Sequence, residues 1–323
     1  MASRKDVAKL AGVSPATVSY YVNKNGYVSE ITGKKIQNAI DELNYTPNLI
    51  ARSLKINDTK QLLFLCNDIR NPFYSQLVHR ATKSASKNGY TCLFSPIVND
   101  PDYINRILSY QVSGVFASNN KMDVTQINKI AKTNIPVVIL RDIDWKDLDS
   151  SVTLLKVEFS TIMKEIIEHL VNKGCSEIHY VSSSTINNLD AKSTSFIKAM
   201  GNKSYSVIEN VSSTNDAYQT IIETYKTKDA FPNAFVCTND GVALGCIRAI
   251  IDCGLKVPDD VKVVGFDNTN ISQFSNPKIS TVDIDSDKIG EIAVSKLLNK
   301  INKNEEEDLV IKPKLIIRES SNS

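Results

Sequence analysis

The stretch DVAKLAGVSPATVSYYVN, residues 6 to 23, holds the side chains best suited to chemistry. If it contains a helix from Pro15 to about Asn23, Val18 and Val22 share an inward face. Ala16 and Tyr20, with Ser19 nearby, then share the outward one. Such a face can meet base edges and thymine methyls in the major groove of DNA. Tyr20 has one hydroxyl and cannot make the paired bonds an arginine gives guanine, so about 1 to 3 kcal/mol of discrimination at that base pair is unavailable to it. Tyr21, three residues after Val18, is expected to pack toward the interior with its hydroxyl at the edge.

Catalytic chemistry finds no comparable support. The chain has no G-x-S-x-G, no G-x-x-x-x-G-K-[ST], no H-E-x-x-H and no strand-linked G-x-G-x-x-G, so an enzyme is not expected. His79, His169 and His179 are not paired at helical spacing, and no metal or cofactor is expected. The six cysteines form no C-x-x-C pair and most lie in apolar runs, as reduced thiols of a cytosolic protein do.

Short helices must hold the reading face. Ser3 can cap a first helix whose apolar positions are Val7, Leu10 and Ala11, and Gly12 supplies its stop. Ser14-Pro15 starts the second helix almost at once, so the two must cross steeply, as in a helix-turn-helix. A third helix begins near Ser29, with Ile36, Ile40 and Leu43 as its buried stripe, and ends around Asn44-Tyr45. Pro47 breaks the chain, Asn48 can cap again, and Leu49 to Lys55 is too short to be a stable isolated helix. Residues 1–60 carry a net charge of +4 and the rest −2, a basic head on a slightly acidic body.

From Gln61 onward, β-rich runs alternate with helical stretches: LLFLCND, YTCLF, GVFAS and IPVVIL, then EIHYVS, SVIE, AFVCTND and VKVVGFD. That alternation predicts two α/β lobes with parallel sheets and a ligand crevice at their strand ends. The acidic run NEEED, 304 to 308, reads as a solvated loop. No apolar run of 18 residues and no signal-peptide pattern occur, so a soluble cytoplasmic protein without membrane contact is expected.

The segments KDVAKLAGVSPATVS, GYVSE, AIDELNYTPN and ARSL resemble the lactose/galactose repressor (LacI/GalR) family of bacterial transcription regulators. NPFY, TND with ALG, VPDDVKVVGFDN, ISTV and IIRES extend the resemblance over essentially the whole chain. It implies an all-α helix-turn-helix head (1–46), a hinge helix and linker (47–60), and a periplasmic-binding-protein-like body (61–323). Lobe one would be 61–157 with 284–311, and lobe two 158–283 with 312–320, the chain crossing between them three times. DNA contacts would come from Ser14, Pro15, Ala16, Thr17, Ser19, Tyr20, Asn23 and Tyr27 in the head. The hinge would supply Asn48, Ala51, Arg52, Leu54 and Lys55, Leu54 as a wedge in a minor-groove base step.

Effector contacts implied by the resemblance are Asp68, Phe73, Asn239, Asp240 and Asp267; Arg141 and Lys192 stand where the family pattern is altered, and Trp145, close to them in sequence, is a further candidate to stack on a ligand. Capping or loop chemistry is the competing reading for Asp240 and Asp267, and Trp145 is equally suited to shielding a lobe edge. Departures from the family pattern are Tyr20 and Gly33 in the head, and Glu158-Phe159, Lys192, Ser195 and the Arg141-Asp142 order in the body. The expected function is a homodimeric repressor on a pseudo-palindromic operator, answering to a sugar-like effector such as a sugar, a sugar phosphate or a nucleoside. A phosphocarrier-type protein corepressor is the alternative, and a sugar-binding protein without a DNA role the remote one.

Overall fold

The computed structural model describes residues 2–23, 25–46, 59–98, 100, 102–118, 122–141, 145–225 and 231–322. It divides into two compact units, Met1–Thr59 and Lys60–Ser323.

The head contains α1 (Arg4–Ala11), α2 (Pro15–Asn23) and α3 (Glu30–Glu42). A capping box starts α1: Asp6 N donates to Ser3 Oγ at 3.4 Å, and Ser3 N to Asp6 Oδ2 at 2.8 Å. Ser14 receives Thr17 N at 3.1 Å ahead of α2, and Ser29 receives Thr32 N at 3.3 Å ahead of α3. Val7, Ala8, Ala11, Val18, Ile36, Ala39 and Tyr45 form the core. The buried face of α1 is therefore Val7–Ala8–Ala11, and Leu10, expected inside, is 46% exposed. Ala8 takes the inward place beside Val7 and Ala11, and Leu10 points outward. Ser29→Ala is expected to cost about 1 kcal/mol, read as a roughly fivefold loss of amide-exchange protection across α3.

In the body, sheet one comprises β1 (Gln61–Cys66), β2 (Thr91–Pro96), β3 (Gly114–Ser118), β4 (Val137–Leu140), β5 (Thr153–Val157) and β11 (Leu309–Ile311), ordered β11-β5-β4-β3-β1-β2 and parallel throughout. Sheet two comprises β6 (Glu177–Val181), β7 (Ser204–Ile208), β8 (Ala234–Cys237), β9 (Lys262–Phe266), β10 (Ser280–Asp283) and β12 (Lys314–Ile316), ordered β12-β10-β9-β8-β6-β7, with only β12 antiparallel. Central strands such as GVFAS and AFVC are buried end to end because helices cover both faces.

Those helices are α4 (Pro72–Lys87), α5 (Tyr103–Ser109), α6 (Val124–Ala131), α7 (Phe159–Asn172), α8 (Ala191–Met200), α9 (Thr214–Thr224), α10 (Asp240–Asp252), α11 (Asn270–Phe274) and α12 (Ser286–Ile301). The chain passes between the sheets after β5, after β10 and after β11. Glu158 N donates to Ile311 O at 3.0 Å, tying the first and third passages together. One buried cluster runs from Phe64 and Leu77 through Val157, Phe159 and Ile284 to Tyr180 and Phe266, so the lobes share a core at their junction.

The acidic run 304–308 is a largely exposed loop, as expected, and it is anchored at two points. Glu306 pairs with Lys296 at 2.6 Å, with both side chains mostly buried, and Asp308 Oδ1 accepts Leu154 N at 2.7 Å. These bonds hold the segment leading into β11 against α12 and β5. Among the described residues no helix is long and apolar enough to cross a membrane, and no cluster of metal-ligating side chains occurs.

Candidate functional sites: the reading face of the head and the interlobe cleft

On α2, Pro15, Ala16 and Tyr20 are exposed, while Val18 is buried beneath them. Thr17 and Ser19 are half-buried and engaged locally: Thr17 Oγ1 lies 2.8 Å from Ser14 Oγ, and Ser19 Oγ accepts Asn23 Nδ2 at 3.0 Å. Tyr27, on the turn before α3, is 93% exposed. The candidate contacts of the head thus form an outward set held by a short polar frame. Tyr21 instead lies against the head core and donates from its hydroxyl to Gln37 Oε1 at 3.0 Å. Gly33 is buried where a Cβ would come within 3.0 Å of Tyr21 Cε2, so a larger residue there would press on this ring. Lys34 and Lys35 remain exposed beside it. Asn48, Ala51, Arg52, Leu54 and Lys55 lie outside the described residues.

In the body, caps position the cleft. Asn71 Oδ1 accepts Phe73 N at 3.0 Å and starts α4, which places Phe73 and Tyr74 edge to face, 5.1 Å between centroids. Asp190 caps α8 and thereby orients Lys192. Lys192 Nζ donates to Thr238 O at 2.9 Å and to Asp267 Oδ1 at 3.4 Å, and sits 4.6 Å from the Phe266 ring centroid and 5.6 Å from that of Phe159. Burial raises the Asp267 carboxyl above the usual carboxylate range, and the Lys192 charge and a hydrogen bond from Asn71 of lobe one work against that rise. Asp267 has φ of 99° and Asn268 φ of 49°. A strained backbone of this kind persists only where surrounding contacts hold it. Here Arg318 is the clamp, donating to Asn268 Oδ1 at 2.7 Å, Ser272 Oγ at 3.1 Å and Ile279 O at 2.9 Å.

The structure brings Lys192 and Asp267 together, with Phe73 in the same shared core cluster. It adds Asn71, Tyr74, Thr238 and Arg318, which residue-by-residue reading did not single out although NPFY, TND and IIRES contain them. Tyr74 Oη accepts Asn67 Nδ2 at 3.3 Å.

The remaining expected effector residues have other engagements. Asp240 is engaged within its own lobe: its Oδ2 accepts Thr269 N at 2.7 Å and Thr269 Oγ1 at 2.9 Å, and its Oδ1 accepts Thr281 Oγ1 at 2.5 Å. Its carboxylate thus ties the start of α10 to β10 and to the loop after β9. Asn239 caps α10, receiving Val242 N at 2.9 Å. Asp68, half-buried, is paired with the exposed Arg70 at 2.7 Å. Arg141 donates to Met122 O at 2.6 Å and lies 4.1 Å over Trp145, whose ring packs on the Ile104–Ile127 core of lobe one.

Comparison with known proteins now bears on the whole chain. Residues 4–48 match the description of bacterial regulatory proteins of the lacI family, and residues 167–321 that of a periplasmic binding protein-like domain. An HTH-type transcriptional repressor PurR of Mannheimia succiniciproducens is 32% identical over 335 residues, covering 99% of this chain and 98% of the relative. The PurR of Pasteurella multocida is 30% identical and covers 100% and 99%. The chain belongs to the lacI family. This lacI-family chain also shares its fold, at a TM-score of 0.85 and 24% identity, with a lac repressor dimer solved on operator with the anti-inducer ONPF, covering 100% and 99% of the two chains.

Proposed function

We propose that this lacI-family chain is a transcriptional repressor that binds a pseudo-palindromic operator as a homodimer, under the control of a small molecule in the interlobe cleft. The exposed Pro15–Ala16–Tyr20 face on a packed helix-turn-helix carries the reading. Two symmetric heads require two half-sites, which is why the operator is a palindrome. Leu54 and the hinge would add minor-groove contact. Full-length relatives named as transcriptional repressors support the same role.

For the effector, the cleft favours a flat polar ring of the nucleobase or nucleoside class over a free sugar. Among the described residues Asn71, Lys192 and Asp267 stand among the rings of Phe73, Tyr74, Phe159 and Phe266. Rings of this kind suit a planar partner.

Selection of duplexes from a random pool by the purified protein is expected to yield a palindrome, and failure to enrich any sequence would remove the proposal. Nucleobases and nucleosides are expected to raise the melting temperature, and Asp267→Asn to abolish that shift. A shift with sugars or sugar phosphates alone would reassign the ligand. No shift with either, together with operator binding restored by a phosphocarrier protein, would move control to a protein corepressor.

A further inference from the structure

The adjacent tyrosines are each seated on a glycine, but in different ways. A methyl group at Gly33 would approach Tyr21 at Cε2, the outer edge of its ring, 3.0 Å away. At Gly26 it would lie 2.9 Å from Cγ, 3.0 Å from Cδ1 and 3.2 Å from Cβ of Tyr20, the root of that side chain. A ring edge can tilt by a few tenths of an ångström. The root cannot, because the helix backbone and the first side-chain torsion place it. Gly26 lies outside the left-handed region, so its backbone does not demand glycine. The demand comes from Tyr20, whose side chain occupies the space a Cβ would need.

We infer that Gly26 is a specificity-determining residue: acting through Tyr20, it sets the rotamer in which the phenol meets its base pair. The inference rests on the proposed reading of α2 as the DNA reader. Tyr20 is 48% exposed, so its root is held while the rest of the ring remains available. A side chain held before binding presents one geometry and loses less freedom on contact, which favours one base over the others. If alanine stood at position 26, Tyr20 would have to leave this rotamer or the 25–28 turn would have to retreat. Backbone contacts with phosphates made elsewhere on the head would be unaffected by the former.

The test uses four full-length proteins: wild type, Gly26→Ala, Tyr20→Ala and the double variant. Each selects from the same random DNA pool, and melting curves and amide exchange of the head confirm folding. The wild type is expected to show a base preference at one symmetric pair of positions, and Gly26→Ala to weaken it about 5- to 10-fold while flanking preferences stay. Tyr20→Ala should remove the preference, and adding Gly26→Ala to it should change nothing further. If Gly26→Ala unfolds the head, rescue of folding in the double variant supports the Tyr20 contact, and failure of that rescue overturns it. An unchanged preference in Gly26→Ala, a uniform loss at all positions, or an equal effect with and without Tyr20 overturns the inference alone. A wild type that enriches nothing overturns the reading of α2 and the inference with it.

Discussion

Lys192→Met is expected to destabilise the body by about 3 kcal/mol at pH 7 and by clearly less at pH 5. The ammonium it removes is the cation paired with Asp267, and the two side chains are only 17% and 4% exposed. Methionine restores most of the volume and the contact with Phe266 but leaves a buried carboxylate without its partner. Burial already raises the Asp267 pKa, and loss of the lysine raises it further. The sign follows from proton counting. A folded-state pKa above the unfolded value means that the native state holds a proton the unfolded chain has released. Stability of the variant therefore falls as pH rises above the unfolded carboxylate range, until the folded group also ionises. Urea denaturation at the two pH values measures the difference. Asp267→Asn in the Lys192→Met background should recover most of the loss, because no buried charge then needs a partner. Equal losses at both pH values would assign Lys192 a packing role only.

Ser14-Pro15 announced α2, because a capping hydroxyl and a proline at the first helical position are local signals. The apolar β-rich runs announced the central strands, since strands buried on both faces need little beyond apolar side chains. β5, β10, β11 and β12 were not among the runs picked out, and two of these are three residues long and defined by partners far away in the chain. Leu10 was misplaced because three apolar residues at helical spacing do not reveal that Ala8 takes the inward place. In the cleft, residue type was legible and direction was not. Carboxylates after strands, such as Asp240 and Asp267, look alike in sequence whether they face a ligand or their own lobe. Glu306 and Asp308 were hidden in the same way, since an acidic run does not show which of its members meet Lys296 and the backbone of β5.

Asp240→Asn separates those alternatives and carries the second large effect. Burial, followed by the charge of Asp267, pushes the Asp240 carboxyl up to about 7, while hydrogen bonds from Thr281 and Thr269 oppose the rise. From about pH 4 to about pH 7 the folded protein keeps a proton that the unfolded chain gives up. Wild-type stability should therefore fall over that window and level off above it, by on the order of 4 kcal/mol from this group. Asparagine does not ionise: its oxygen can accept from Thr269 N, and its amide can donate to the Thr281 hydroxyl. The variant should lose that part of the pH slope and be the more stable protein at pH 8. Urea titrations at pH 5 and pH 8 would show it, and a slope identical to wild type would place the responsible titration elsewhere. Because the oxygens of Asp240 are taken up by Thr269 in the loop after β9 and by Thr281 on β10, effector affinity should change less than threefold in Asp240→Asn, corresponding to about 0.6 kcal/mol. The same substitution at Asp267 is expected to abolish binding. Loss of binding in both would return Asp240 to the cleft, and loss in Asp267→Asn alone would fix it as a strut beneath the cleft.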